Sequence, residues 1–227
     1  MAKKIEVLNK MFKQLTIEER IEQLYEIFPE NEVLYTSSFG TSAAFLLNLV
    51  SRLRPTQKVF FIDTGYHFKE TLAYKNQLTE AYQLNVTNLI PDEYLHGYSA
   101  ENKLWESDPN TCCHVNKVLP LECAKSSHRV WISGLMGFQS SFRENLNVFE
   151  QQGDIIKFYP LIDITELELK SAKIRYNIPE HPLKSQGYAS VGCEQCTFKG
   201  QHREGRWKGK GKVECGLHFP KKRLQTI

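Results

Sequence analysis

The feature that most limits the possible folds is a regular alternation of strand-like and helix-like segments in the first ninety residues. The strand candidates EVLYTS (32–37), KVFFID (58–63) and LNVTNLI (84–90) are separated by the helical stretches SAAFLLNLVSRL and KETLAYKNQLTEAY. KVFFID is almost wholly apolar before its terminal aspartate, as expected of a strand buried on both faces. A β-α-β-α-β order predicts an α/β fold built on a doubly wound, mostly parallel sheet.

Three further patterns predict structure elsewhere in the chain. Thr16 and Glu19 match a capping box at the start of a helix that ends near Pro29. A helix candidate around residues 112–125 precedes a central strand, RVWISGL at 129–135. IIKFYPLID and TELELKSAKIRYN form a last α/β unit, which reaches about residue 177.

Beyond that unit, helix and strand signals fade into a segment rich in proline, glycine and cations. We therefore predict an α/β domain over residues 1–190 and a C-terminal segment over residues 191–227. The whole chain has 227 residues, 41% of them hydrophobic and 24% charged, which is typical of a globular protein with one main domain. The longest apolar run, AAFLLNLV, is too short to span a bilayer, and the N-terminus has no secretion-signal pattern, so we expect a cytoplasmic protein without a membrane partner.

The net charge of +3 is unevenly distributed. Residues 197–227 contain nine Lys or Arg against two Glu, a local charge of +7, which leaves about −4 for the first 196 residues. Such a run is either a solvated tail or an anion site. The tail lacks an interleaved aromatic and basic pattern, and no helix-turn-helix pattern precedes it. We therefore expect a small phosphorylated ligand rather than nucleic acid.

Two loops follow the first two predicted strands, where open α/β sheets bind their ligands. SSFGTS (37–42) offers hydroxyls and backbone N–H groups at a helix N-terminus, and DTGY (63–66) offers a carboxylate suited to a ribose or base donor. Neither a P-loop nor a G-x-G-x-x-G fingerprint is present. Each loop alone is compatible with a simple turn, but together they predict that the domain over residues 1–190 binds a nucleotide.

Cysteine usage gives the sharper signal, because thiols in a reducing compartment serve metal ligation or catalysis more often than disulfides. The chain has six cysteines, Cys112, Cys113, Cys123, Cys193, Cys196 and Cys215. The C-x-x-C of Cys193 and Cys196 combines either with Cys215 and His218 in a zinc site, or with Cys112 and Cys113 on an iron–sulfur cluster. Unliganded buried thiols are the third possibility. Cys123, in the apolar context VLPLECA, is predicted to be structural.

In the cluster alternative Cys215 is left without a ligand role. It lies in the polar, glycine-rich segment KVECGLH, among cations and next to a histidine. Such surroundings lower the pKa of a thiol, and nearby glycines allow the segment to move over a bound substrate. These properties suit a nucleophile.

Taken in order, these motifs resemble the assimilatory sulfonucleotide reductases, which act on adenosine 5′-phosphosulfate (APS) or 3′-phosphoadenosine 5′-phosphosulfate (PAPS). The matching blocks run from about residue 35 to residue 218: SSFG, DTGY, CCHVNKVLPL, WISGL with QSSFR, HPL with GYASVGCEQCT, REGRW and ECGLH. The resemblance implies a fold of the adenine-nucleotide α-hydrolase type. It also implies attack of Cys215 on the phosphosulfate sulfur, release of AMP, and release of sulfite by a thioredoxin or glutaredoxin-like reductant.

The resemblance also assigns site residues. It implies a 4Fe-4S cluster on Cys112, Cys113, Cys193 and Cys196, and APS rather than PAPS as substrate. Cys215 and His218 match catalytic residues. The substrate-binding positions are Ser37, Ser38, Gly40, Asp63, Thr64, Gly65, Lys117, Arg143, Arg203 and Arg206.

One departure concerns substrate choice. Many members of the family have two basic residues where this chain has Met136 and Gly137, and a 3′-phosphate would need such a positive partner. This agrees with APS as the substrate. A PAPS-reducing or dual-substrate enzyme is the alternative, and a zinc-stabilised nucleic-acid-binding module is a remote one. A homo-oligomer is compatible with the sequence.

Overall fold

The chain folds around a six-stranded sheet with the strand order β3-β2-β1-β4-β6-β5. All neighbouring strands are parallel except β5, which runs antiparallel to β6. The computed structural model describes residues 2–212 and 214–218. The strands are β1 Val33–Thr36, β2 Lys58–Ile62, β3 Asn85–Leu89, β4 Val130–Ser133, β5 Phe149–Gln152 and β6 Ile155–Phe158.

Ten α-helices connect and flank these strands in the described part of the chain. They are α1 Ala2–Phe12, α2 Ile17–Ile27, α3 Ala44–Leu53, α4 Lys69–Ala81, α5 Glu93–Glu101, α6 Leu104–Ser107, α7 Pro109–Cys113, α8 Leu119–Lys125, α9 Ser141–Glu144 and α10 Glu166–Arg175. The predicted β-α-β-α-β order is confirmed, and so is the mostly parallel sheet. The predicted capping box of Thr16 and Glu19 is present at the start of α2.

The strand order creates a switch point between β1 and β4. From β1 the chain builds β2 and β3 on one side, and it later returns to place β4 on the other side. The loops that leave β1 and β4 therefore diverge and open a crevice beyond the carboxyl ends of the two strands. This crevice is where a ligand is expected.

The N-terminal helix α1 and the edge strand β5 were not predicted. Phe12 packs edge-on against Phe149, with 4.7 Å between the ring centroids. The side-chain amide of Asn9 donates to the carbonyl of Phe149 at 3.0 Å and accepts from its N–H at 2.8 Å. The helix α1 thus covers the edge of the sheet through contacts between residues far apart in sequence.

The helix predicted around residues 112–125 is present, but it is not uniform. A π-helical stretch, His114–Val118, lies between α7 and α8. Such π-helical turns are rare in proteins, and those that occur are frequently at functional sites. On α8, Leu121 and Lys125 form the buried face whereas Cys123 is exposed, so the structural role predicted for Cys123 is wrong.

The C-terminal segment is largely irregular but is paired with the rest of the chain. Isolated bridges join His67 to Cys193 and Tyr188 to Gly200. The boundary at residue 190 stays a prediction. The end of the predicted basic tail, from residue 219 onward, lies outside the described residues. None of the described helices has the length and apolar character needed to cross a membrane.

Candidate active site

A cavity of about 220 Å³ lies at the switch point between β1 and β4. Its wall includes the loop after β1, the loop after β4 and the C-terminal segment that carries Cys215. Most of the predicted substrate-binding and catalytic residues line it: Ser37, Ser38, Gly40, Thr64, Lys117, Arg143, Arg203, Arg206, Cys215 and His218. The fold therefore brings together residues that span most of the sequence.

Asp63 and Gly65 are the two predicted substrate-binding residues that do not line this cavity. The carboxylate of Asp63 accepts a hydrogen bond from the N–H of Gly65 at 3.2 Å, and Gly65 has a φ of 70°. This pair shapes the turn after β2. Because neither residue lines the cavity, their predicted contact with a substrate stays a prediction.

The loop after β1 is held in a defined shape by its own residues. Phe39 adopts a left-handed conformation with a φ of 48°, and its fully buried ring packs edge-on against Phe61. The N–H of Phe39 donates to the hydroxyl of Ser37 at 3.2 Å. α3 begins a few residues later without a side-chain cap. Its first N–H groups thus remain available to an anion in the cavity.

Four of the six cysteines lie in one buried group, which we call the cysteine cluster: Cys112, Cys113, Cys193 and Cys196. Three of their sulfurs receive polar contacts. Thr64 Oγ1 lies 3.4 Å from Cys193 Sγ, Asn116 Nδ2 donates to Cys112 Sγ at 3.7 Å, and Lys117 Nζ donates to Cys113 Sγ at 3.7 Å. Cys113 ends α7, and Lys117 lies one turn later in the π-helical stretch that follows. Lys117 therefore lies between the cysteine cluster and the cavity.

Lys117 and the sulfurs around it affect each other's ionisation. Burial acts to raise the pKa of Cys193, but Lys117 and the hydrogen bond from Thr64 outweigh it, and the pKa of Cys193 is lowered. Burial acts to lower the pKa of Lys117, but the thiolates of Cys193, Cys113 and Cys215 raise it above its ordinary value. Burial raises the pKa of Cys112 and of Cys196. Lys117 is thus a permanent cation beside the sulfurs.

The cysteine cluster has the properties of a site for a metal–sulfur group. The indole N–H of Trp207 is buried in contact with the cysteines and has no hydrogen-bond partner among the described residues. An unpaired buried donor is costly unless a bound group accepts from it. Within residues 2–212 and 214–218, no three or more His, Cys, Asp and Glu side chains are arranged to hold a single metal ion. A four-iron cluster instead spreads four thiolates over separate irons.

The tail segment 214–218 closes one side of the cavity. Cys215 is half-buried and packs against the cysteine cluster. His218 stacks on Trp131 with 5.0 Å between ring centroids and an interplanar angle of 10°. Lys157 Nζ donates to the carbonyl of His218 at 3.0 Å. Cys215 and His218 thus occupy different surroundings, and the catalytic role of His218 stays a prediction.

Several cations surround His218. Burial, followed by the nearby Lys157, Arg143 and Arg203, lowers the pKa of His218 well below its ordinary range. Its ring is therefore neutral at neutral pH. Burial and the neighbouring Lys125 likewise lower the pKa of Lys157 to about 7. His218 thus packs on the indole of Trp131 and contacts the poorly solvated amine of Lys157.

A buried carboxylate joins two of the predicted substrate-binding arginines. Glu214 accepts from Nε and Nη2 of Arg143 at 2.7 and 3.0 Å, and from Nη2 of Arg203 at 3.0 Å. Arg143 follows the cap of α9, where its N–H bonds to Ser140. Arg206 lies against Gly192 and donates to the carbonyl of Val191 at 3.0 Å. The arginines are therefore fixed by the protein rather than free in solvent.

Comparison with known families agrees with this arrangement. A profile of the "Phosphoadenosine phosphosulfate reductase domain" matches residues 32–199, which is most of the chain. The chain belongs to this reductase-domain family. The remote alternative of a nucleic-acid-binding module is thereby disfavoured.

Curated members of the reductase-domain family are similar over nearly the whole chain. A protein named adenosine 5'-phosphosulfate reductase from Bacillus cereus (strain AH187) is 41% identical over 203 residues, covering 84% of this chain and 85% of its own. The protein of the same name from Bacillus thuringiensis subsp. konkukian (strain 97-27) gives the same values.

Solved structures confirm the fold. The phosphoadenylyl-sulfate (PAPS) reductase of Candida auris, solved as a phosphate complex, superposes with a TM-score of 0.73 at 25% identity, covering 86% of this chain and 96% of that one. An FMN adenylyltransferase of Candida glabrata shares the fold with a TM-score of 0.56 at 16% identity, covering 86% of this chain and 64% of that one. The predicted α/β architecture is thus confirmed.

Sequence reasoning missed several residues of this reductase-domain site. Glu214, Trp131 and Lys157 were not singled out as functional. Trp131 lies inside an apolar strand and resembles a core residue, while Lys157 sits in a short strand with no motif around it. Glu214 stands directly before Cys215, and a carboxylate beside a proposed nucleophile was the one available signal.

Proposed function

We propose that this protein is an APS reductase, which converts APS into sulfite and AMP through a covalent intermediate on Cys215. The observation that carries the proposal is the placement of Cys215 at a cavity with four cations, Lys117, Arg143, Arg203 and Arg206. A substrate with a phosphate and a sulfate needs such positive partners. The names of the curated relatives support the same activity.

In the first step the thiolate of Cys215 attacks the sulfur of the phosphosulfate. A sulfur–sulfur bond forms, the bond between sulfur and the bridging oxygen breaks, and the electron pair leaves with AMP. Cationic side chains at the cavity stabilise the charge that builds on the leaving phosphate. Lys117 is suited to this role because it stays protonated between the cysteine cluster and the cavity.

In the second step a dithiol reductant of the thioredoxin class regenerates the enzyme. One thiolate of the reductant attacks Sγ of the modified cysteine and releases sulfite, leaving a mixed disulfide. The second thiol of the reductant resolves this disulfide, so that two electrons pass from the dithiol to sulfur and Cys215 returns as a thiolate. Cys215 must leave the cavity for this step. Gly216, with a φ of 90°, gives the tail a point at which it can bend.

We infer that the cysteine cluster would hold a 4Fe-4S cluster through Cys112, Cys113, Cys193 and Cys196. The donor set suits it, since four buried thiols are adjacent to Lys117 and to the unpaired N–H of Trp207. Such a group would polarise the neighbouring site. Lys117 would hold its charge between that group and the phosphosulfate.

PAPS is the second candidate substrate, because the solved structure from Candida auris and the family profile carry that name. Two features of this chain favour APS. Met136 is fully buried, and a Cβ atom on Gly137 would lie 2.8 Å from the carbonyl oxygen of Ile162. Neither position presents a cation to the cavity. A 3′-phosphate would therefore lack a partner there.

The deciding experiment compares sulfite formation from APS and PAPS with thioredoxin as reductant. We expect a kcat/KM for APS at least on the order of tenfold higher, because an unpaired phosphate charge costs more than a kcal/mol. Cys215→Ser should abolish sulfite formation and still bind nucleotide, whereas Cys123→Ser, an exposed control, should retain activity. Activity in Cys215→Ser would refute the assigned nucleophile, and absence of sulfite from either substrate would refute the function.

A further inference from the structure

The carboxylate of Glu214 is one of the most buried charged groups in the described structure, with 2% exposure. It directly precedes Cys215 and is held by Arg143 and Arg203. A carboxylate in such surroundings is stable only while its charge is paired. The tail is therefore attached to the cavity wall by an ionic contact next to the proposed nucleophile.

This contact uses the edge of Arg143 that would otherwise bind an oxyanion. Nε and Nη2, the two donors of that edge, both point to Glu214, and Nη1 donates to Oε1 of Gln139. An arginine binds phosphate or sulfate through the same pair of parallel N–H groups. With Glu214 in place, Arg143 cannot offer this edge to a substrate.

The tail also has a second attachment that does not involve the arginines. His218 stacks on Trp131, and its carbonyl accepts from Lys157. Gly216, with a positive φ, lies between the two attachments. Release of Glu214 can thus move Cys215 while Leu217 and His218 remain docked.

We propose that Glu214 is a positioning residue that latches the tail by competing with the substrate's anionic group for Arg143 and Arg203. In the substrate-free protein the carboxylate occupies both guanidinium groups. Binding of the phosphosulfate displaces it, and residues 214–216 then rearrange around the bound nucleotide. The inference rests on the proposed function, since that function supplies the competing anion.

The test measures APS binding in a Cys215→Ser background, in which the nucleotide is not consumed. Glu214→Gln should bind APS on the order of tenfold more tightly, because removing a charged hydrogen-bonded contact raises the fraction of molecules with free arginines. Glu214→Asp, which keeps the charge but shortens the reach, should lie between the two. The matched control is Glu144→Gln, since Glu144 is an exposed carboxylate next to Arg143 on α9.

Hydrogen exchange supplies a second readout that does not depend on affinity. Addition of APS to Cys215→Ser should speed exchange at the amides of residues 214–216, whereas Glu214→Gln in the same background should exchange fast without nucleotide. Unchanged or weaker APS binding in Glu214→Gln, while the wild type makes sulfite, would overturn the latch alone. Failure of every variant to bind APS would overturn the proposed function and the latch with it.

Discussion

Gly192 leaves room for Arg206, because a Cβ atom at this position would stand 2.5 Å from Cζ of the arginine. The guanidinium therefore lies against the backbone of residue 192, with its Cζ also 4.5 Å from the ring centroid of Trp207. Since residue 192 directly precedes Cys193, one glycine places a cavity cation beside the cysteine cluster.

Gly192→Ala should displace Arg206 and lower kcat/KM for APS by about 10- to 100-fold, since a small misplacement of a positioning group has effects of this size. Steady-state kinetics with APS and thioredoxin provide the measurement. Gly97→Ala is the control, because a Cβ atom there meets nothing within 4 Å and alanine is a better helix former. Equal activity in the two variants would show that Arg206 does not need its observed position.

Iron content should depend on the four buried cysteines and not on Cys123. Anaerobically purified wild-type protein should be brown and contain about four irons per chain. Single Cys→Ala substitutions at positions 112, 113, 193 and 196 should each remove most of the iron, because each deletes one thiolate ligand. Cys123→Ala should keep the full iron content, as should Cys215→Ser. Iron analysis and the visible spectrum check this, and a colourless wild-type protein with zinc would contradict the proposed cluster.

The strands of the sheet and the helices that connect them are predictable because their sequence patterns are local. The apolar run before Asp63 and the capping box of Thr16 are read from a few adjacent residues. By contrast, the edge strand β5 is held by the contact of Asn9 with the backbone of Phe149, which is 140 residues away. No local pattern contains such a contact.

The same distinction applies to the candidate site. Motifs marked the cysteines, Lys117 and the arginines. The fold brings Lys117, the arginines and Cys215 to the cavity, and it gathers four other cysteines in the adjoining cysteine cluster. The role of Glu214 was not predicted because it depends on an ion pair with Arg143, which is 71 residues away in sequence. The substrate contact predicted for Asp63 stays a prediction, because a carboxylate after a strand also shapes a turn, as this one does with Gly65.

Lys157 should make stability depend on pH in a defined direction. Its pKa of about 7 lies below the value of an unfolded chain, so the unfolded state binds more protons between about pH 7 and pH 10. The resulting penalty is full below pH 7 and is relieved as the pH rises through this window. The melting temperature of Lys157→Met should therefore exceed that of the wild type most at pH 6.5, and the gap should narrow by pH 9.5.

Lys208→Met is the control for this series, because Lys208 is exposed. Its melting temperature should follow that of the wild type at every pH. A constant difference between Lys157→Met and the wild type across the range would show that Lys157 is not a poorly solvated amine in the folded protein.

The ion pair of Arg20 and Asp163 should affect stability without affecting activity. Arg20 is 4% exposed, and it binds both carboxylate oxygens of Asp163 at 2.6 and 2.7 Å as well as the carbonyls of Phe12 and Pro160. Arg20→Ala should lower the free energy of unfolding by about 2–4 kcal/mol, because two buried carbonyls lose their donor and a cavity is left. Asp163→Asn should cost only about 1 kcal/mol, since the carboxylate is 49% exposed.

The pH dependence separates these contributions. Hydrogen bonds from Arg20 outweigh burial and hold the pKa of Asp163 below its ordinary value. The stability that this carboxylate contributes is thus present above its unfolded pKa of about 4 and is lost as the pH falls through the folded pKa. Denaturant unfolding should show the wild type losing its advantage in stability over Asp163→Asn below about pH 4.

The control is Glu26→Gln, which removes a long and exposed ion pair to Arg54. Its free energy of unfolding should stay within about 0.5 kcal/mol of the wild type at every pH. Because Arg20 does not line the cavity, kcat/KM for APS should be the same in all three variants at a temperature where they are folded. A drop in kcat/KM in Arg20→Ala under those conditions would reveal a coupling between the N-terminal helices and the site.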